Sequence, residues 1–102
     1  MHSADDTAWR FDQGPEVAAL TTRQVLEMNL PVLMVTHYSD DHSWAFVCGT
    51  TEDYLKDGRV VCMSHILKLD QSLFEIADLP LGWSAERKDL GSEWIRFPDD
   101  AA

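Results

Sequence analysis

Residues 30–49 read LPVLMVTHYSDDHSWAFVCG, and the reading of this stretch decides the fold. Two apolar runs, Val32 to Thr36 and Trp44 to Cys48, flank the polar Ser39, Asp40, Asp41 and His42, which is the pattern of an antiparallel hairpin. Side chains alternate between the two faces of a strand, so Trp44, Phe46 and Cys48 share one face and Ala45 and Val47 the other. The first run is apolar on both faces through Val32, Leu33, Met34 and Val35, which predicts a central strand covered on both sides.

On the N-terminal side, Trp9 and Phe11 alternate with polar neighbours and predict a short edge strand over Ala8 to Phe11, broken by Gly14-Pro15. Glu16 to Leu20 reads as extended. Thr21-Thr22-Arg23-Gln24 has the spacing of a capping box and predicts a helix from Thr22 to about Met28, ended by Asn29 and Pro31. Beyond the hairpin, Thr50 to Arg59 is a polar connector with Asp57-Gly58 as a turn and Tyr54-Leu55 as a small apolar tether. Val60 to Met63 predicts a third central strand. Ser64 and Asp70 are placed to cap two short helical turns, SHILKL and QSLFEIAD, the second stopped by Leu79-Pro80. Leu81 to Glu86 and Glu93 to Phe97 complete the set as strands joined through a turn at Gly91. The expected fold is α+β: a mainly antiparallel sheet of about five strands with two or three short helices on one face. Residues 1–102 form a single domain, with 1–7 and 99–102 as loose ends.

A chain of 102 residues buries roughly two thirds of its unfolded surface, enough for a core without metal or disulfide staples. Lys plus Arg is 8 against 18 Asp plus Glu, a net charge of −10, which disfavours contact with phosphate backbones and hence nucleic acid. That charge describes either a soluble acidic surface or one that meets a basic partner. No run approaches the ~18 apolar residues of a membrane span. The first residues, MHSADDTAWRF, are acidic where a signal peptide is basic and apolar, so a cytoplasmic location is expected. In a reducing compartment Cys48 and Cys62 read as buried thiols, and a disulfide between them requires neighbouring strands.

The residue types that carry chemistry are few and loosely spaced. His37, Asp40, Asp41 and His42 gather at the hairpin tip, where two carboxylates and two imidazoles suit a divalent metal or acid–base work, and where Asp and Ser equally well build the turn. His37, Cys48, Cys62 and His65 are zinc-ligand types without zinc-site spacing. Neither cysteine lies in a nucleophile turn, and no phosphate-binding glycine loop is present, so no cofactor is expected. Four tryptophans are generous for this length. Trp44 anchors the core, while Trp9, Trp83 and Trp94 either close core edges or anchor a partner. The candidate partner-binding set is Asp40, Asp41, His42, Trp83 and Trp94, an aromatic and acidic combination that suits a basic protein.

Thr22-Arg23, Asp41-His42-Ser43-Trp44-Ala45-Phe46 running to Gly49, Leu69-Asp70, Leu79-Pro80-Leu81-Gly82 and Arg87 together resemble a small bacterial domain family, first catalogued as of unknown function and later grouped with immunity proteins of polymorphic toxin systems. The resemblance spans about Leu20 to Arg87 and centres on W-x-F-x-x-G followed by P-x-G and an arginine. It carries no catalytic residues and implies binding of a basic toxin domain by occlusion. The competing expectation is a small metal-dependent or thiol enzyme using His37, His42, His65 or a cysteine.

Overall fold

A computed structural model describes residues 9–49 and 53–102, so the expected loose end at 1–7 lies outside the described residues. The fold is α+β, a six-stranded, mostly antiparallel sheet with four short helices. In chain order the elements are β1 (Ala18–Thr22), α1 (Arg23–Glu27), β2 (Met34–His37), β3 (Trp44–Val47), α2 (Tyr54–Asp57), β4 (Gly58–Cys62), α3 (Met63–Leu69), a 3₁₀ helix (Gln71–Ile76), β5 (Trp83–Glu86) and β6 (Ile95–Pro98). Across the sheet the strands run β4-β1-β3-β2-β5-β6. All neighbours are antiparallel except β1 and β3, which meet in parallel at Leu20 and Ala45.

The expected hairpin is the middle of this sheet. Its register pairs His37 with Trp44 and Val35 with Phe46, putting all four on one face, and β5 adds Ala85 beside Val35. Met63, Ile66, Leu73, Ile76 and Leu79 pack over that face and bury it completely. Among the described residues the opposite face has no helical layer over β2, only the one-turn α2 near β4, which corrects the expectation that β2 is covered on both sides. The run at Val60 reads as central because it is apolar, yet β4 pairs only with β1 and lies at the sheet edge. Its Val60 is 65% exposed.

Three local expectations give way to tertiary contacts. Residues 9–13 form no strand; Phe11 instead drops into the core, its ring 4.8 Å from Trp44 and 5.7 Å from Phe74. The capping box does not form. Thr21 belongs to β1 and its hydroxyl donates to the Phe46 carbonyl at 2.7 Å, Thr22 stands at the helix start with its hydroxyl buried and unpaired, and Gln24 reaches the Asp57 carboxylate at 2.8 Å. Residues 99–102 are held rather than loose: Ser39 donates to the Ala102 carbonyl through its backbone N–H at 3.3 Å and its hydroxyl at 2.8 Å. Asp70 does cap the 3₁₀ helix, accepting from Ser72 N–H at 3.0 Å.

Two glycines of the Trp44–Gly49 and Pro80–Gly82 motifs hold left-handed backbone, φ +82° at Gly49 and +80° at Gly82, where a side chain is strained. Gly82 is the third residue of a turn closed by Trp83 N–H to Pro80 C=O at 3.2 Å, and a positive φ at that place defines type II. Arg87 is the other fixed point. Its side chain is 1% exposed; it pairs with Asp70 at 2.7 Å, donates twice to the Val32 carbonyl at 3.1 and 2.9 Å, and lies 4.3 Å from the Trp94 ring centre. The guanidinium thereby ties the 3₁₀ segment and the chain before β2 to the end of β5.

Losing one partner of such a buried pair strands the other charge, so Arg87→Met is expected to cost about 3 kcal/mol, on the order of 12 °C or more in Tm for a domain of this length. A thermal scan that moves by only a degree or two refutes the clamp. Thr22→Val removes an orphan hydroxyl and is expected to raise stability by up to ~1 kcal/mol in denaturant titration. The Gln24 amide, and after it Arg23, hold the Asp57 carboxyl below its usual range, so the fold favours the carboxylate. That stability is present above the unfolded value near ~4 and is lost as pH falls through the lower folded value. Asp57→Asn is therefore expected to flatten the acid limb of stability against pH, and an unchanged limb contradicts the linkage.

Candidate functional site

The uncovered face is where the molecule has room. Leu20, Met34, Thr36, Ala45, Val47 and Val60 alternate with the core residues, so all six point away from the helices. Across β4, β1, β3 and β2 they floor a hollow of about 530 Å³. Small Ala45 and Thr36 lie side by side on β3 and β2. Tyr54 and Leu55 of α2 rise on the β4 side, with Leu55 fully exposed, and Tyr38, Asp99 and Ala101 close the end where the tail returns. The hollow is thus a trough with an apolar floor.

Its polar groups are arranged in one line. Ser84 donates to Asp99 Oδ2 at 2.7 Å, which commits its only proton, so the 2.9 Å contact between Thr36 and Ser84 has Thr36 as donor. Asp99 Oδ1 accepts from Ala101 N–H at 3.0 Å. Arg59 is the cation among the lining residues, and it is held by Glu27 at 3.4 Å and by the Lys56 and Gly58 carbonyls at 3.1 and 2.9 Å. Burial pushes the Tyr38 phenol up, and Tyr54, Asp99, Asp41 and Asp40 add to the rise. Asp99 at this end and the nearby Asp40 and Asp41 thus bring carboxylates to the Tyr38 side of the trough, while Arg59 lines it from β4.

The hairpin tip stands beside this end. Asp40 is exposed. Asp41 is a turn residue as well as a charge: its Oδ1 accepts from the Ser43 N–H at 3.0 Å and the Ser43 hydroxyl at 2.6 Å, contacts that hold its carboxyl below the usual range. His42 takes a left-handed backbone, φ 63°, and its Nδ1 is 3.8 Å from Asp12 Oδ2. Trp83 pairs with His37 and so lies at the same end of the sheet, but on the covered face and packed against the core. Trp94 precedes β6, whose Ile95 pairs with Glu86 at the far end, and its ring lies against Arg87. Asp40, Asp41 and His42 are thus gathered at one place, while the two tryptophans serve the core and stand apart from each other.

The histidines and cysteines are dispersed. His37 is buried flat on Trp44, ring centres 3.9 Å apart; Nδ1 donates to the Leu79 carbonyl at 2.7 Å and Nε2 faces Asp12 Oδ2 at 3.0 Å. Both nitrogens are committed, leaving neither for a metal. Asp12, which the sequence reading passed over, also accepts from the Trp44 indole N–H at 2.8 Å. His37 on β2 and Cys62 on β4 are separated by β3 and β1, about 14 Å of sheet. Among the described residues no three His, Cys, Asp or Glu side chains come together in a metal-binding group. Cys48 is buried but Cys62 is exposed, against the expectation of two buried thiols; both are reduced. A second hollow of about 560 Å³ at the other end of the sheet is lined by Glu86, Arg87, Lys88 and Glu93, a more charged lining than the trough's.

The floor of the trough belongs to strands expected from the sequence, but its walls come from the stretches read as polar connector and loose tail. Tyr54, Leu55, Asp99 and Ala101 come to it only through long-range folding, and period-two alternation of Leu20, Ala45 and Val60 was the one signal that could have found its floor. Among the described residues no helix is long and apolar enough to cross a membrane. Compared with family models, curated proteins and solved structures, the chain matches none.

Proposed function

We propose that this protein is a non-enzymatic, cytoplasmic protein-binding module of immunity-protein type, which disables a basic partner such as a toxin domain by covering it. The observation that carries this reading is the uncovered sheet face: an apolar floor including Leu20 and Val60, bordered by Asp99 with Asp40 and Asp41 near its mouth. Monomeric proteins seldom leave such a face bare unless something docks on it. The net charge of −10 speeds encounter with a basic partner, while the apolar floor supplies the lasting contact. Occlusion needs no chemistry from the chain, and His37, the buried histidine of the hairpin, has both ring nitrogens engaged by the fold. The resemblance around Trp44–Gly49 and Pro80–Gly82 supports the immunity reading in particular, although those residues build the sheet and its turns.

Affinity capture from a native host at low salt is expected to retain one basic protein and to lose it as salt rises. Asp40 and Asp100 are exposed and suit a clean charge test, because Asp41 is needed by its turn. The double variant Asp40→Lys with Asp100→Lys is expected to bind that partner roughly five- to tenfold more weakly, mostly through slower association. Affinity indifferent to both salt and charge reversal overturns the proposal.

A further inference from the structure

We infer that the occupant of the trough is a single amphipathic α-helix of a basic protein, its apolar stripe laid on the sheet and its lysines or arginines turned to the carboxylate rim. The inference rests on the binding reading above and adds the shape of what is bound. The floor spans four strands, β4, β1, β3 and β2, three gaps of ~4.8 Å each or about 14 Å from edge to edge. An α-helix with its side chains is ~10–12 Å across, so one helix fits and two do not. The cross-section favours the same occupant. Along the row Val60, Leu20, Ala45 and Thr36 the large side chains stand on β4 and β1 and the small ones on β3 and β2, with Met34 one pleat further along β2, so the floor steps down to a low side that receives the convex surface of a cylinder better than a second flat sheet.

The fold supplies the reason that a helix is the missing piece. Helices cover the opposite face of the same strands, and a sheet with apolar residues on both faces is completed by a layer on each. Charge decides whose helix it is. A second copy would bring Asp99, Asp40 and Asp41 against their equals, on a chain of net charge −10. Arg59, the cation lining the trough, is already engaged by Glu27. The free fields at the rim are negative, and a helix flanked by ammonium or guanidinium groups neutralises them.

The test uses the full chain labelled with nitrogen-15 and three 18-residue peptides. One carries leucines at i, i+3, i+4 and i+7 with lysine at the other positions; the second has the same composition with leucine and lysine alternating, an extended pattern; the third replaces lysine by glutamate in the helical pattern. The basic helical peptide is expected to bind best, to gain helical circular dichroism, and to shift the amide resonances of Leu20, Ala45, Val47 and Val60. Leu20→Thr combined with Val60→Thr leaves charge and strand preference in place, and both sites are exposed, so the fold is kept; it is expected to weaken this binding at least fivefold. Unmoved Trp44 resonances in the variant certify the core. A preference for the alternating peptide, or shifts confined to the outer edges of β4 and β6, overturns the helix while the basic-partner reading stands. Equal binding of the glutamate peptide overturns both. Binding that ignores the double variant, or no binding by any peptide, overturns the trough as the docking place.

Discussion

The stack of His37 on Trp44, with Asp12 joined to both, is the constraint on which the covered half of the molecule depends. Residues 9–13 have no regular hydrogen-bond ladder to hold them, and fixing each residue costs about 1–2 kcal/mol in backbone entropy. What offsets that cost is side-chain contact: Phe11 among Trp44, Phe46 and Phe74, and the Asp12 carboxylate spanning an indole and an imidazole. Leu79 secures the far side of the same imidazole, so the segment before β1 and the segment before β5 are fastened to one ring. A polar pair inside an aromatic cluster is satisfied at every nitrogen, which is the condition for such a group to stiffen a core rather than weaken it.

All of these fasteners act on one side. Phe11, the two helical segments after β4 and the Arg87 clamp are each directed at the face of β2 and β3 that carries Val35 and Phe46. Among the described residues the other face receives the short α2 at one border and the returning tail at another. The result is a one-sided domain: a sheet backed by a full core on one face and floored by apolar residues on the other, with Asp99 at its border.

The two apolar runs of the hairpin, the cap at Asp70 and the strands after Leu81 were legible because each is set by interactions within a few residues or by alternation along one strand. Reading failed where a distant partner outbid the local one. Thr21 and Gln24 have the spacing of a cap, but Phe46 and Asp57 claim their side chains from 25 and 33 positions away. Trp9 and Phe11 alternate as a strand does, yet both rings are gathered by Phe74. Val60 misled in a more useful way, since an apolar residue on an uncovered face resembles one in a central strand. The site itself was only half legible: Asp40 and Asp41 at the tip were visible, whereas the tail that closes the trough looked like a free end. Asp70 and Arg87, both among the residues quoted for the resemblance, pair with each other and hold the scaffold together.

The unequal burial of the two thiols also makes the molecule its own clock. Cys62 stands exposed at the start of α3, where the Ser64 hydroxyl and then the His65 backbone N–H hold its thiol below the ordinary value, so an alkylating reagent can reach it and the reactive thiolate is favoured. Cys48 is 3% exposed and belongs to the cluster that holds Phe46 and Ala85, so a reagent is expected to reach it far more slowly, chiefly as the structure opens. In one reaction the first cysteine counts molecules and the second counts opening events. Capping Cys62 at the outset leaves Cys48 as an internal chronometer of how often the native sheet comes apart.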